Sequence, residues 1–171
     1  MTLAENHPFS ALTGQIEQLL WASIICSAAV ATIALINMGR LSLFIAPIVF
    51  VFTLTHHSVL LTLLNKDRKK EPEALKGTLA PTAHKASIIL CWVLAGLWCL
   101  VVVIVIIVSV MIMAMNDYEG WERFAAYLEI PFQVAEICLL VVLAFKCRKQ
   151  RRRTFIQPSV DWQNYQSTTA A

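Results

Sequence analysis

ASIILCWVLAGLWCLVVVIVIIVSVMIMAM, residues 86–115, runs without a single charge. As a helix it would be about 45 Å long, against a bilayer hydrocarbon core of about 30 Å. A soluble core helix accommodates it poorly, because so long an apolar run leaves faces exposed to water. Lipid accommodates it only as a helix, since no backbone N–H or C=O finds a partner there except within the segment. Working outward, three further runs meet the same criterion at residues 19–38, 41–64 and 127–145. The last is the least clean, for it carries Glu129, Gln133 and Glu136. The prediction is an all-α integral membrane four-helix bundle, antiparallel.

Composition agrees. The chain is 58% hydrophobic and 15% charged, where soluble domains average about 45–50% and about 25%. The charges stand in short blocks between the apolar runs. Residues 1–18 hold no Lys or Arg, and the first apolar run exceeds the roughly 7–15 residues of a signal h-region. That run is therefore expected to remain as a span. The organisation read from this is a cytoplasmic N-terminal segment at 1–18, a membrane domain at 19–145, and a basic then polar tail at 146–171, disordered after its basic cluster.

Orientation follows from the basic residues. The connection between spans 2 and 3 carries Lys66, Arg68, Lys69, Lys70, Lys76 and Lys85, and the tail carries Lys146, Arg148, Lys149, Arg151, Arg152 and Arg153. Arg40 and Arg123 alone fall on the other side. The positive-inside rule places both termini in the cytoplasm. The outer connection before span 4 is acidic and aromatic, with Asp117, Tyr118, Glu119, Trp121 and Glu122, and Tyr127 and Glu129 follow. The first outer connection, near 37–40, is short enough to demand a tight turn and a helical hairpin. In the inner loop, Pro72 and Glu73 are placed to start one helical turn that Gly77 and Pro81 end.

Cys26, Cys91, Cys99 and Cys138 lie within spans and read as small packing residues. Cys147, in KCRKQRRR, is a juxtamembrane thiol and the lipidation candidate. Lys146, Arg148, Lys149, Arg151, Arg152 and Arg153 around it would contact anionic inner-leaflet lipids, each worth about 1 kcal/mol near the surface. The alternative reading makes that cluster a topology determinant only.

The polar residues inside the spans need partners, because an ionisable group at bilayer depth costs about 2.5–3.5 kcal/mol on insertion scales. His56 lies ten residues from Lys66, and Glu136 ten from Lys146. Both therefore sit about 15 Å from the same surface. The expected pairing joins Glu136 to His56 or His57. Adjacent helical positions point about 100° apart, so only one histidine faces Glu136 and the other turns to a neighbouring helix or a backbone carbonyl. On span 3 the same level holds Ala95 and Gly96, small enough for close helix approach. Glu129, Gln133 and Glu136 form a polar stripe at i, i+4 and i+7. The stripe reads as structural hydrogen bonding, or alternatively as part of a path for protons or an ion. Small residues recur every four positions at Ser23, Ser27 and Ala31 and at Cys91, Ala95 and Cys99, marking close packing.

No cofactor or metal is expected. Two histidines on one helix cannot clamp a haem iron from opposite faces, and His7 and His84 lie outside the spans. An adjacent pair is also poor geometry for zinc with Glu136. The sequence shows no phosphate loop and no nucleophile elbow, so an enzyme is not expected, and neither is a nucleic-acid partner.

Four spans, inward termini, a short first outer turn, a basic inner loop and a polar tail together resemble small MARVEL-like tetraspan proteins over residues 19–150. The THHSVLL element of span 2, residues 55–61, resembles one in uncharacterised fungal four-span proteins. Tetraspanins and claudins fit worse, since the outer connection near 116–122 has no cysteine. The resemblance implies membrane organisation, trafficking or apposition. The expectation is a non-enzymatic multi-pass protein of the plasma membrane or an endomembrane. It would scaffold a membrane region with lipid, further copies or other membrane proteins as partners. The alternative is a small transporter or channel, or a subunit of one, using the Glu/His pair.

Overall fold

The computed structural model describes residues 11–36, 41–70, 79–114 and 120–156. They form four helices: α1 (Ala11–Ile36), α2 (Ile45–Arg68), α3 (Lys85–Ala114) and α4 (Gly120–Ile156). A 3-10 turn at Pro81–Ala83 precedes α3. No strand occurs among the described residues. Each helix contains a segment long and apolar enough to cross a membrane.

The exterior explains that composition. Large apolar side chains face outward along all four helices, among them Trp21 and Ile25, Val51 and Phe52, Val103 and Met111, and Val142 and Phe145. Only 17% of the apolar window of α3 is buried, so this helix is greasy on its outer face as well as its inner one. An outward face of that kind is stable against lipid and costly against water. Hydroxyls within the helices turn back on their own backbone: Thr32 to Ala28, Thr53 to Val49, Thr55 to Val51 and Thr62 to Ser58. This satisfies a polar group without a partner from outside the helix.

Inside, α4 packs on α1 and α3, α1 on α2, and α2 less extensively on α3. The interior has two apolar clusters. One gathers Ile16, Leu20, Leu60, Leu64, Cys91, Leu143, Ala144 and Cys147, toward the end where Lys66 and Lys146 lie. The other gathers Val30, Ala34, Ala46, Val49, Leu94, Ala95, Trp98, Val101, Val105 and Leu140. Side chains from both ends of the sequence meet at the basic end. Lys146 donates to Gln15 at 2.7 Å, and Arg68 donates to both Glu17 oxygens at 2.5 and 3.3 Å.

The helix ends differ from the ends of the expected spans. Helix α1 begins at Ala11, well before residue 19, because Thr13, Gln15 and Glu17 find partners on α4 and α2. Helix α4 does not stop at residue 145 but continues to Ile156. Apolar length limits a membrane crossing, not a helix, and Lys, Arg and Gln are good helix formers. Helix α2 starts four residues later than residue 41, after Leu43 and Phe44 adopt left-handed backbone (φ 49° and 62°). Such conformations cost a non-glycine residue about 1 kcal/mol or more. Buried Leu41 and Ser42 and the Ile45 N–H to Ser42 bond (2.9 Å) hold the turn in place. Pro47 then falls in the first turn of α2, where its missing N–H costs nothing. Pro81 opens the 3-10 turn. The turn expected at Pro72 and Glu73 and the first half of the outer hairpin, 37–40, lie outside the described residues.

Candidate functional site

Between the two apolar clusters lies a polar layer built by three helices. Helix α1 contributes Ser23, α2 contributes His57 and α4 contributes Glu136; all three are fully buried. Ser23 Oγ donates to Glu136 Oε1. His57 Nε2 lies 2.9 Å from the same Ser23 oxygen. His57 Nδ1 lies 3.1 Å from Nδ1 of His56, the two rings inclined at 57°. The result is a continuous chain from Glu136 through Ser23 and His57 to His56.

The donors in that chain can be assigned from one bond. Ser23 uses its only proton on Glu136, so it accepts from His57 Nε2–H. A neutral His57 then has a bare Nδ1, which accepts from His56 Nδ1–H. Both imidazoles are neutral in this arrangement, with opposite tautomers.

The expected direct contact between Glu136 and a histidine is therefore replaced by a bridge. Ser23 had signalled only close packing, as the first of a row with Ser27 and Ala31; all three are buried. Only Ser23 reaches another helix with its hydroxyl, since Ser27 bonds the Ser23 carbonyl at 2.7 Å. His56 takes neither alternative foreseen for the outward-turned histidine. It folds back on its neighbour, half-buried at the edge of α2, and its Nε2 has no hydrogen-bond partner among the described residues.

The stripe on α4 is fully buried. Gln133 Nε2 donates to Glu129 Oε1 at 2.9 Å. Glu129 Oε2, Gln133 Oε1 and Glu136 Oε2 remain buried acceptors without a donor among the described residues. Pro131, between them, removes the N–H that would bond the Tyr127 carbonyl. The Cys26 thiol lies beside Glu136 and also donates to the Phe132 carbonyl at 3.3 Å. One turn before His57, Thr53 accepts from Trp98 Nε1 at 3.2 Å, which ties α3 to α2. Toward the basic end the layer is closed by Leu20, Leu60 and Leu143, each buried.

A second tie lies at the basic end. Gln150, fully buried, accepts from Thr82 at 2.7 Å and donates to Thr13 at 3.2 Å. Arg151 donates to the Ala83 carbonyl at 3.1 Å. Two members of the expected lipid-contact cluster, Lys146 and Arg151, are thus bonded within the bundle, while Arg148, Lys149 and Arg152 are exposed. The side chain of Arg153 lies outside the described residues.

Two residues are placed otherwise than their sequence context suggested. Cys147, the lipidation candidate, is fully buried against Leu143 and Ala144 in the apolar cluster. Arg148 and Lys149 beside it are exposed, while the helix turns its thiol inward. Gly96 does not mediate close helix approach: a Cβ built there meets nothing within 4 Å. Ala95 is the residue that packs inward, with Cys91, whereas Cys99 and Cys138 are exposed on the apolar exterior.

No protein-family model matches the chain, and no curated protein or solved structure matches it. The MARVEL-like resemblance thus rests on architecture alone. Four helices of this length and composition are compatible with a multi-pass membrane protein of tetraspan type.

Proposed function

We propose that the chain is a non-enzymatic tetraspan membrane protein that organises or scaffolds a region of membrane. In this reading the helices cross in alternating directions, with both termini and the basic end in the cytoplasm. The observation that carries it is the chain Glu136–Ser23–His57–His56, which runs across three helices at one level and is capped by Leu20, Leu60 and Leu143. Polar groups spent on one another in this way hold helices together. What the molecule then offers its surroundings is an apolar exterior and the exposed Arg148, Lys149 and Arg152. Lipids, anionic ones at the basic end, and other membrane proteins or further copies are the partners that such surfaces fit. The architecture is in keeping with a MARVEL-like role.

The test is reconstitution in nanodiscs of mixed phosphatidylcholine and phosphatidylserine, with co-purifying lipid and oligomeric state read by native mass spectrometry. Enrichment of phosphatidylserine that falls when Arg148, Lys149 and Arg152 are all replaced by Gln supports the reading. A second reading, a small transporter or channel subunit, is favoured by the buried acceptors Glu129 Oε2, Gln133 Oε1 and Glu136 Oε2 on one face of α4. Dissipation of a pH or sodium gradient in proteoliposomes, abolished in Glu136→Gln, would replace the first reading with the second.

A further inference from the structure

We propose that the interhelical chain is a binding site for one proton, which enters at His56 and comes to rest on Glu136. The inference rests on the clasp but not on the organising role, and stands or falls separately from it.

Three features carry it. First, the chain is unbroken: each of its members is within hydrogen-bond distance of the next. Second, both interior members are donor and acceptor at once, a hydroxyl and an imidazole, so the chain has two complementary polarities. Third, both ends are open. Glu136 Oε2 at one end and His56 Nε2 at the other are buried atoms without a hydrogen-bond partner among the described residues. His56 is also the one member that is only half-buried, at the edge of α2, so it is the end nearest the surroundings.

Among the described residues, the groups facing Glu136 leave the hydrogen-bonded chain as its route to charge balance. Helix α1 presents Ser23 and the Cys26 thiol, and α2 presents the two imidazoles. On α4 the next carboxyl group is Glu129, engaged by Gln133, and the Cys138 thiol is exposed on the exterior. Helix α3 brings Leu94, Ala95 and Trp98 to the adjoining cluster, none of them titratable. Lys146, the nearest base on α4, is bonded to Gln15.

The step balances. A proton adds to His56 Nε2. The His56 Nδ1–H bond breaks and its proton passes to His57 Nδ1. The proton of His57 Nε2 passes to Ser23 Oγ, and the proton Ser23 held passes to Glu136 Oε1. One proton has been gained, the carboxylate is neutral, and both imidazoles remain neutral with exchanged tautomers. Nothing is oxidised or reduced.

The exchange of tautomers is the signature that a static tie would not give. The experiment is solid-state NMR of the full chain, labelled with 15N-histidine, in liposomes across a pH titration. Infrared spectroscopy of the same samples follows the carboxylic C=O band that Glu136→Gln removes. The expected result is that His57 changes from Nε2–H to Nδ1–H, and His56 from Nδ1–H to Nε2–H, together with the appearance of that band. Ser23→Thr keeps the coupled change, and Ser23→Ala abolishes the exchange at His57. Fixed tautomers while the Glu136 band appears would overturn the proposal. So would a doubly protonated imidazole while Glu136 stays ionised. If Ser23→Ala fails to fold, the wild type and Ser23→Thr decide the question by themselves.

Discussion

Replacing Ser23 by alanine removes one oxygen that two other helices share. His57 Nε2 loses its acceptor and Glu136 Oε1 loses its donor, both fully buried. Interhelical hydrogen bonds in membranes average about 0.6 kcal/mol and reach about 2 kcal/mol. Two of them lost together give a destabilisation of about 1–4 kcal/mol, the upper part applying because one partner is a carboxyl group. The control is Ser27→Ala, one turn along the same helix. Ser27 is equally buried, but its hydroxyl bonds only carbonyls of its own helix, Ser23 and Ile24. Its removal therefore costs a few tenths of a kcal/mol by the same reasoning. Reversible unfolding by sodium dodecyl sulfate from mixed micelles, followed by helix-sensitive circular dichroism, measures both. Glu136→Leu, which leaves no acceptor, combined with Ser23→Ala completes a cycle whose coupling energy isolates their contact. The reasoning is refuted if Ser23→Ala and Ser27→Ala lower the midpoint equally, or if the double substitution is simply additive.

Other consequences are as direct. Cys147 reacts with a membrane-permeant maleimide much more slowly than the exposed Cys99 and Cys138 in the folded protein, and equally fast once unfolded. Fatty-acid exchange labelling of the native protein leaves Cys147 unmodified. Thr53→Val strips Trp98 Nε1 of its partner; it lowers stability by about 1 kcal/mol and shifts the indole fluorescence, whereas Thr55→Val, on the exposed face, does neither. Gln150→Leu unties Thr82 and Thr13 and hastens backbone hydrogen exchange at the start of α1 and around Pro81–Ala83, leaving the middle of α4 protected. Arg68→Ala breaks a pair whose members are 30% and 28% exposed. It costs about 1 kcal/mol or less, and high salt diminishes the difference.

The sequence makes four helices long and apolar enough to cross a membrane plain, because apolar length is a one-dimensional quantity. The matched depth of His56 and Glu136 was legible too, by counting from Lys66 and Lys146. What counting cannot supply is rotation about the helix axes. A serine in a row with Ser27 and Ala31 has the same signature whether it merely packs or bridges. Ser23 meets Glu136 across 113 positions and His57 across 34, pairings that no local pattern encodes. The burial of Cys147 was hidden for the same reason: Arg148 and Lys149 beside it are exposed, yet a helix turns about 100° per residue and can bury one position beside exposed ones. The continuation of α4 was hidden because Lys, Arg and Gln end an apolar run without ending a helix. Gln150 in particular looked like one more polar tail residue until Thr13, 137 positions away, came to meet it.

The distribution of these ties has its own consequence. Lipid tails are as apolar as the helix faces, so burial alone drives little association between spans, and polar contacts do much to fix how each helix is turned. At the middle level all four helices are joined: α1, α2 and α4 through Ser23, and α3 through Trp98 and Thr53. At the basic end Gln150, Arg68, Lys146 and Arg151 add further bonds between elements. On the other side of the middle, past Cys26 and Phe132, the described side-chain hydrogen bonds stay within single helices, as Thr32 to Ala28 and Gln133 to Glu129 do. That half is held by apolar packing around Val30, Ala34, Val101 and Val105, which is the weaker constraint in lipid. Among the described residues, then, the polar ties that fix how each helix is turned lie at the middle level and the basic end.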